Sequence, residues 1–182
     1  MVIAITRWLY RFAHKDEPVP DGWVSRLCVG RHGAEGYVIW SRQVTNSRVK
    51  GASFERECAT KINQWFQDYT GYDIEVKRDL EQYRSSDHGD LIGLPGWTIE
   101  CKRYNSNGSV FYRREWWEQV VTASLSTGTQ PVLIYKYDRQ PMCCVVFLSS
   151  ISPNYISKQS TAIISFDTWL MLAAESLVDS EL

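Results

Sequence analysis

The stretch HGDLIGLPGWTIECKRY, residues 88–104, decides the fold of this chain. HGDLIGL (88–94) and WTIECKRY (97–104) are short runs of apolar or alternating residues, and Leu94-Pro95-Gly96 between them has the make-up of a tight turn. Two such runs with so short a joint predict strands folded side by side. Alternation then sorts the second run, with Glu100 and Lys102 on one face and Cys101 on the other. Asp90 lies in the first strand, separated from Glu100 by nine residues, and the turn lets the two carboxylates converge at one end of the sheet.

Upstream of this pair, YDIEVKRDL (72–80) reads as another strand. Before it, Phe54, Cys58, Ile62, Trp65, Phe66 and Tyr69 recur every three to four residues, which predicts an amphipathic helix over 52–69. Thr70-Gly71 ends it, with Gly71 suited to the residue just past the helix. Downstream, NSNGS (105–109) is a loop and 112–125 a helix carrying Trp116, Trp117, Val120 and Val121. PVLIYKY (131–137) and CCVVFLS (143–149) are apolar enough for interior strands joined near Asp138 to Pro141. A final helix fits 168–177 with Asp167 as its N-cap. The order predicts an α/β fold, a mixed central sheet flanked by helices with an α-β-β-β-α-β core.

Residues 50–150 form that core, and 151–182 are a strand and helix tail packing on it. Residues 1–49 read as a small N-terminal extension, a helix plus a short hairpin. Its helix is placed over 2–13, where Ile5, Trp8, Leu9 and Phe12 have helical spacing; 23–29 and 36–42 are its strands, across Arg31-His32-Gly33. The polar run KDEPVPDG (15–22) is a loop.

The chain has 182 residues and a net charge of −1, which alone argues against a strongly basic nucleic-acid binder. Charge is unevenly placed. Residues 1–50 carry 8 basic and 4 acidic residues, 51–100 carry 5 and 10, 101–150 carry 6 and 3, and 151–182 carry 1 and 4. The acidic second block sits between two basic ones. Five cysteines without a CxxC pair do not suggest a disulfide framework, and the expectation is a soluble protein of a bacterial or phage-infected cell. The apolar opening is far short of the ~20 residues that span a bilayer.

Two converging carboxylates raise one another's pKa unless a cation sits between them. Mg²⁺ suits such a pair, since it takes one or two carboxylates and keeps several waters; Mn²⁺ would substitute. Lys102, on the face of Glu100, can then stabilise hydroxide or the charge developing on a phosphorane. Cys101 would add a backbone carbonyl at most.

Together, D-x9-E-x-K on a hairpin resembles the PD-(D/E)XK nuclease superfamily. Lys50-Gly51-x-x-Phe54-Glu55-Arg56-Glu57 is similar to the opening of its archaeal and phage Holliday-junction resolvases. The resemblance covers roughly 50–148 and implies that Glu55 is the helix glutamate completing the acidic site, where it binds a second metal or orients the attacking water. It also implies Asp90 and Glu100 as metal ligands and Lys102 as the catalytic lysine. The expected activity is a Mg²⁺-dependent endodeoxyribonuclease acting at branched DNA, such as a four-way junction, as a homodimer. Lys50, Arg56, Ser86, Arg103, Arg113 and Arg114 are candidate DNA contacts. The sequence departs from the superfamily where His88-Gly89 stands in place of a proline before Asp90.

Plainer readings stand beside these. Glu55, in the first turn of the predicted helix, would favour the helix dipole whatever its function. Lys102-Arg103 would make an ordinary strand end, Asp87 is a turn residue able to replace Asp90, and Ser85 and His88 are loop residues. Cys28 and His32 have zinc-like spacing but lack two further ligands nearby. Trp116 and Trp117 are core or dimer contacts, since one narrow helical stripe should not bury both.

Overall fold

The computed structural model describes residues 2–5, 8–14, 18–19, 24–27, 37–43, 47–80, 89–105, 110–152, 154–155 and 160–180. The chain divides into two compact units, Met1–Lys50 and Gly51–Leu182. The first contains the strands β1 (Val2–Ile5), β2 (Trp8–His14), β3 (Val24–Leu27) and β4 (Tyr37–Gln43), in an antiparallel sheet of order β1-β2-β4-β3. The helix expected over 2–13 is therefore a pair of strands, with Ile5 opposite Trp8. Its residues satisfy two periods at once. Ile5, Trp8, Leu9 and Phe12 fit a helix, but Trp8, Tyr10 and Phe12 also recur every second residue among strand-favouring types, and cross-strand pairing settles the matter. The strands expected near 23–29 and 36–42 are β3 and β4, antiparallel neighbours.

The second unit is built on α1 (Ser47–Tyr69), β5 (Lys77–Arg78), β6 (Leu91–Ile92), β7 (Trp97–Tyr104), α2 (Arg114–Thr127), β8 (Gln130–Tyr137), β9 (Cys143–Phe147), β10 (Thr161–Ser165) and α3 (Phe166–Ser180). Its six strands run in the order β10-β9-β8-β7-β6-β5, with β7 and β8 parallel and every other neighbouring pair antiparallel. The parallel pair needs a crossover, and α2 supplies it. This is the mixed α/β sheet expected of a restriction-endonuclease-like core.

Alternation along the central strands makes the layers. Ile99, Cys101, Val132, Ile134, Cys144 and Val146 pack with Phe54, Cys58, Ile62 and Phe66 of α1 and with Trp169, Leu170 and Ala173 of α3. The intervening Leu133, Tyr135, Tyr137 and Val145 pack with Trp116, Trp117 and Val120 of α2. Adjacent Cys143 and Cys144 accordingly join opposite layers.

Several boundaries differ from expectation. The described residues 72–80 and 89–94 are mostly irregular, and only Lys77–Arg78 and Leu91–Ile92 among them form ladder. Gly93 ends β6 at φ 105, where a Cβ would lie 2.0 Å from the Glu75 carbonyl oxygen, so the two backbones meet too closely for regular pairing to continue. The N-cap of α3 is Ser165, whose Oγ accepts the Thr168 N–H at 3.0 Å; Asp167 lies inside the first turn. At the end of α1, Gly71 has the expected left-handed conformation, φ 73. Among the described residues, no helix is long and apolar enough to cross a membrane.

Candidate active site

Asp90 precedes β6 by one residue and is locked against β7 through its own backbone. Its N–H donates to the Ile99 carbonyl at 2.7 Å, and its carbonyl accepts the Asp79 N–H at 2.9 Å. The side chain turns the same way, with Oδ2 accepting the Cys101 N–H at 2.7 Å. Close approach is possible because residue 89 is glycine: a Cβ there would lie 2.4 Å from the Ile99 carbonyl oxygen. The missing proline of the sequence pattern is thus replaced by a residue that this contact demands.

From β7, Glu100 and Lys102 project to the α2 side, while the Cys101 side chain is buried in the layer of α1 and α3. Glu100 is 2% exposed. Its Oε1 receives two donors, Lys102 Nζ at 2.5 Å and the Gln119 amide at 2.8 Å. Burial, followed by the charge of Asp90, pushes the Glu100 carboxyl up to about 7. Asp90 is also raised, chiefly by burial, with the Cys101 N–H and the Lys102 charge opposing and Glu55 adding to the rise. Burial alone would lower Lys102, but the charge and hydrogen bond of Glu100 outweigh it and hold the ammonium more firmly protonated.

This donor set fits a hard divalent cation. Two buried carboxylates, each raised chiefly by burial, are stabilised together by a cation of charge two, and the remaining ligands of Mg²⁺ are ordinarily waters. Among the described residues, no group of three or more His, Cys, Asp or Glu gathers in a metal-holding arrangement.

Glu55 differs from expectation in its place on α1. The helix begins at Ser47 and has no acid in its first turn, so Glu55 lies beyond the reach of the terminal dipole. Its carboxylate is instead bound by the Nε of Arg78, with both side chains largely buried. Sequence reasoning missed Arg78 and Gln119. Arg78 stands 23 positions from Glu55 and Gln119 stands 19 from Glu100, so strand pairing and helix packing alone create these contacts.

The other candidate residues scatter. Arg103, on the face opposite Lys102, contacts Asp138 at 3.3 Å and Glu57 at 4.0 Å; Lys136 joins Glu57 at 3.4 Å. Arg113 lies over the Tyr104 ring at 4.7 Å and the Trp116 ring at 5.4 Å. Arg114 is exposed and paired with Glu118 at 2.7 Å. Lys50 and Arg56 are on α1, Arg56 exposed. Trp116 and Trp117 are both buried, contrary to the single-stripe expectation: Trp116 stacks at 4.8 Å on Tyr104 and Trp117 meets Phe147 edge-on at 5.1 Å. Two adjacent helical residues can both be covered because the contact layer widens with these bulky aromatic partners. Ser85, Ser86, Asp87, His88, Cys28 and His32 lie outside the described residues.

A family model described as phage putative PDDEXK endonuclease matches residues 46–172, well over half of the chain. No curated protein matches it.

Proposed function

The chain belongs to the phage PDDEXK endonuclease family, and we propose that it is a metal-dependent endodeoxyribonuclease that cuts branched DNA. The observation that carries this reading is the meeting of Asp90, Glu100 and Lys102 across β6 and β7, with Asp90 bonded to the Cys101 N–H at 2.7 Å and Lys102 to Glu100 at 2.5 Å. Asp90 and Glu100 would hold Mg²⁺ or Mn²⁺, with the Cys101 carbonyl as a further ligand, and the bound ion would supply Lewis-acid polarisation of the phosphate and a more acidic water. Lys102 keeps its proton and donates hydrogen bonds to the non-bridging oxygens as charge builds on phosphorus. Glu55, oriented by Arg78, directs the attacking water. Water oxygen bonds to phosphorus in line, the bond to the 3′ oxygen breaks, and the products are a 5′-phosphate and a 3′-hydroxyl.

Two symmetric incisions at a four-way junction require two sites facing related strands, so the proposal includes a C2 homodimer. Cleavage of a junction and of its separate duplex arms, each with Mg²⁺, Ca²⁺ or EDTA, tests the reading. Junction cleavage in Mg²⁺, absent in EDTA and abolished by Glu100→Ala, is expected. Equal cutting of the plain arms would reassign the enzyme to linear duplex, and wild-type rates in Glu100→Ala would remove Glu100 from the mechanism. Sedimentation as a fully active monomer would overturn the dimer.

A further inference from the structure

Beyond the acidic centre, the segment entering α2 carries a feature that the cleavage chemistry does not use. Val110 and Phe111 are 55% and 66% exposed, although their backbone is held at fixed points. The Tyr135 hydroxyl donates to the Val110 carbonyl at 3.1 Å, and the Tyr137 hydroxyl donates to the Phe111 carbonyl at 2.9 Å. The next residue, Tyr112, shares a hydrogen bond with Thr161 at 3.0 Å. An apolar ring is thus displayed on a pinned backbone, and the ordering of that backbone is complete before any ligand arrives.

Phe111 is one wall of an open groove of about 860 Å³ lined also by Tyr112, Trp117 and Phe147 and by the charged residues Arg114 and Glu118. That size lies within the range of pockets for small planar ligands. Aromatic walls with Thr122 and Thr161 among the polar lining suit a flat heterocycle that carries hydrogen-bonding groups. Its cation, Arg114, is paired with Glu118 of the same groove in an exposed ion pair, the kind that contributes little and exchanges readily for a phosphate.

The same segment connects with the acidic centre. Tyr104, 40% exposed, lies on the face of β7 that holds Glu100 and Lys102, and two residues of strand set it ~7 Å beyond Lys102. Arg113 covers the Tyr104 ring at 4.7 Å, which sets a guanidinium over the strand residue beyond Lys102 and one position before Arg114 of the groove. A polynucleotide backbone following Lys102 and Arg113 would bring a base to Phe111.

We propose that this groove receives a nucleobase that has left the duplex stack, stacked against Phe111, with Arg114 on its phosphate and Arg113 on the phosphate nearer the cut. The inference rests on the nuclease reading above and deepens it: matched duplex must spend unstacking energy to fill the groove, whereas branched DNA or a bulge offers an unpaired base at smaller cost. A second copy of the chain is the competing occupant. The tyrosine-pinned lip, the exchangeable Arg114 pair and the Arg113 guanidinium over Tyr104 favour nucleic acid.

The test uses the full chain with Ca²⁺ in place of Mg²⁺. Anisotropy gives affinities for a four-way junction and for matched duplex, and 2-aminopurine at the branch point reports stacking. Phe111→Ala should weaken junction binding about tenfold, within the range for loss of one base–aromatic stack. It should leave duplex binding and the melting temperature unchanged and abolish 2-aminopurine quenching. Phe111→Trp should retain quenching, and Tyr137→Phe should weaken it by freeing the lip. Unchanged junction affinity in Phe111→Ala, or equal loss on both DNAs, overturns the proposal; so does a change of that variant from dimer to monomer, which gives the groove to a second copy. If wild-type protein cuts junctions while Phe111→Ala is unaffected, the nuclease reading stands and only the groove falls. Wild-type protein that neither binds nor cuts DNA overturns both.

Discussion

The two faces of β7 are made from alternate residues of one eight-residue strand, yet they follow opposite rules. On one side, Trp97, Ile99 and Cys101 enter a continuous apolar layer with α1 and α3. On the other, Glu100 and Lys102 are equally committed to a fixed position, but through charge and hydrogen bonds: Glu100 is 2% exposed and its Oε1 has two donors. The first face stabilises by removing apolar surface from water. The second holds a carboxylate in a place where its ionisation is disfavoured, and Lys102 relieves part of that strain, as a divalent cation held there would. One strand therefore separates stability from reactivity by a half-period of its own pleat.

That separation can be broken from either side. The largest expected effect is on chemistry. Lys102→Met should slow cleavage by about a thousandfold, the scale of losing one preorganised charge-stabilising donor, while far-UV spectra and melting compared below pH about 7, where Glu100 is protonated, change little. A variant that instead melts early would show that Lys102 is structural. The opposite face gives the next largest effect, on stability. Ile99→Ala should destabilise by about 2–5 kcal/mol, since Ile99 is fully buried, with measurable cleavage well below the melting temperature. Denaturant titration measures the loss, and loss of catalysis with native stability would erase the distinction between the faces.

Between these lies the pH dependence of the metal-free protein. Glu100 titrates near 7 in the fold and near 4.5 when unfolded, so across that window the folded state binds more protons. Stability should therefore fall as pH rises from about 4.5 through about 7, on the order of 3 kcal/mol. Glu100→Gln should flatten this fall, and saturating Mg²⁺ should oppose it. A melting series in EDTA with a slope identical in wild type and Glu100→Gln would exclude Glu100 as its source. The smallest effect belongs to a charge outside both faces: Arg114→Ala should cost less than about 0.5 kcal/mol of stability, because its pair with Glu118 is exposed. A larger loss in thermal unfolding would show that the pair does more than sit on the surface.

Legibility followed the range of the interactions. Turn chemistry at Leu94-Pro95-Gly96 and a period of two placed Asp90, Glu100, Cys101 and Lys102 correctly relative to one another, because both signals are local. The apolar period of α1 was equally plain, though its start was set five residues late and Glu55 was assigned to the wrong turn. Residues 2–13 show the converse. Their pattern satisfied helix and strand alike, and only pairing of β1 with β2 and β2 with β4 chose between them. Trp116 and Trp117 were judged by the width of a helical stripe, whereas Tyr104, Tyr137 and Phe147 supply enough aromatic surface to cover both.

By itself, then, the sequence determined which residues of β7 share a face, that a turn returns the chain beside it, and that an acid stands at the matching point of the preceding segment. These follow from backbone geometry that repeats every two residues. Only the tertiary structure decided that Arg78 holds Glu55, that Gln119 shares the Glu100 oxygen with Lys102, and that Tyr135 and Tyr137 pin the segment bearing Phe111. Those contacts join residues 19 to 26 positions apart. No local period encodes such separations; they are set by which strands pair and by the depth to which each helix packs against the sheet.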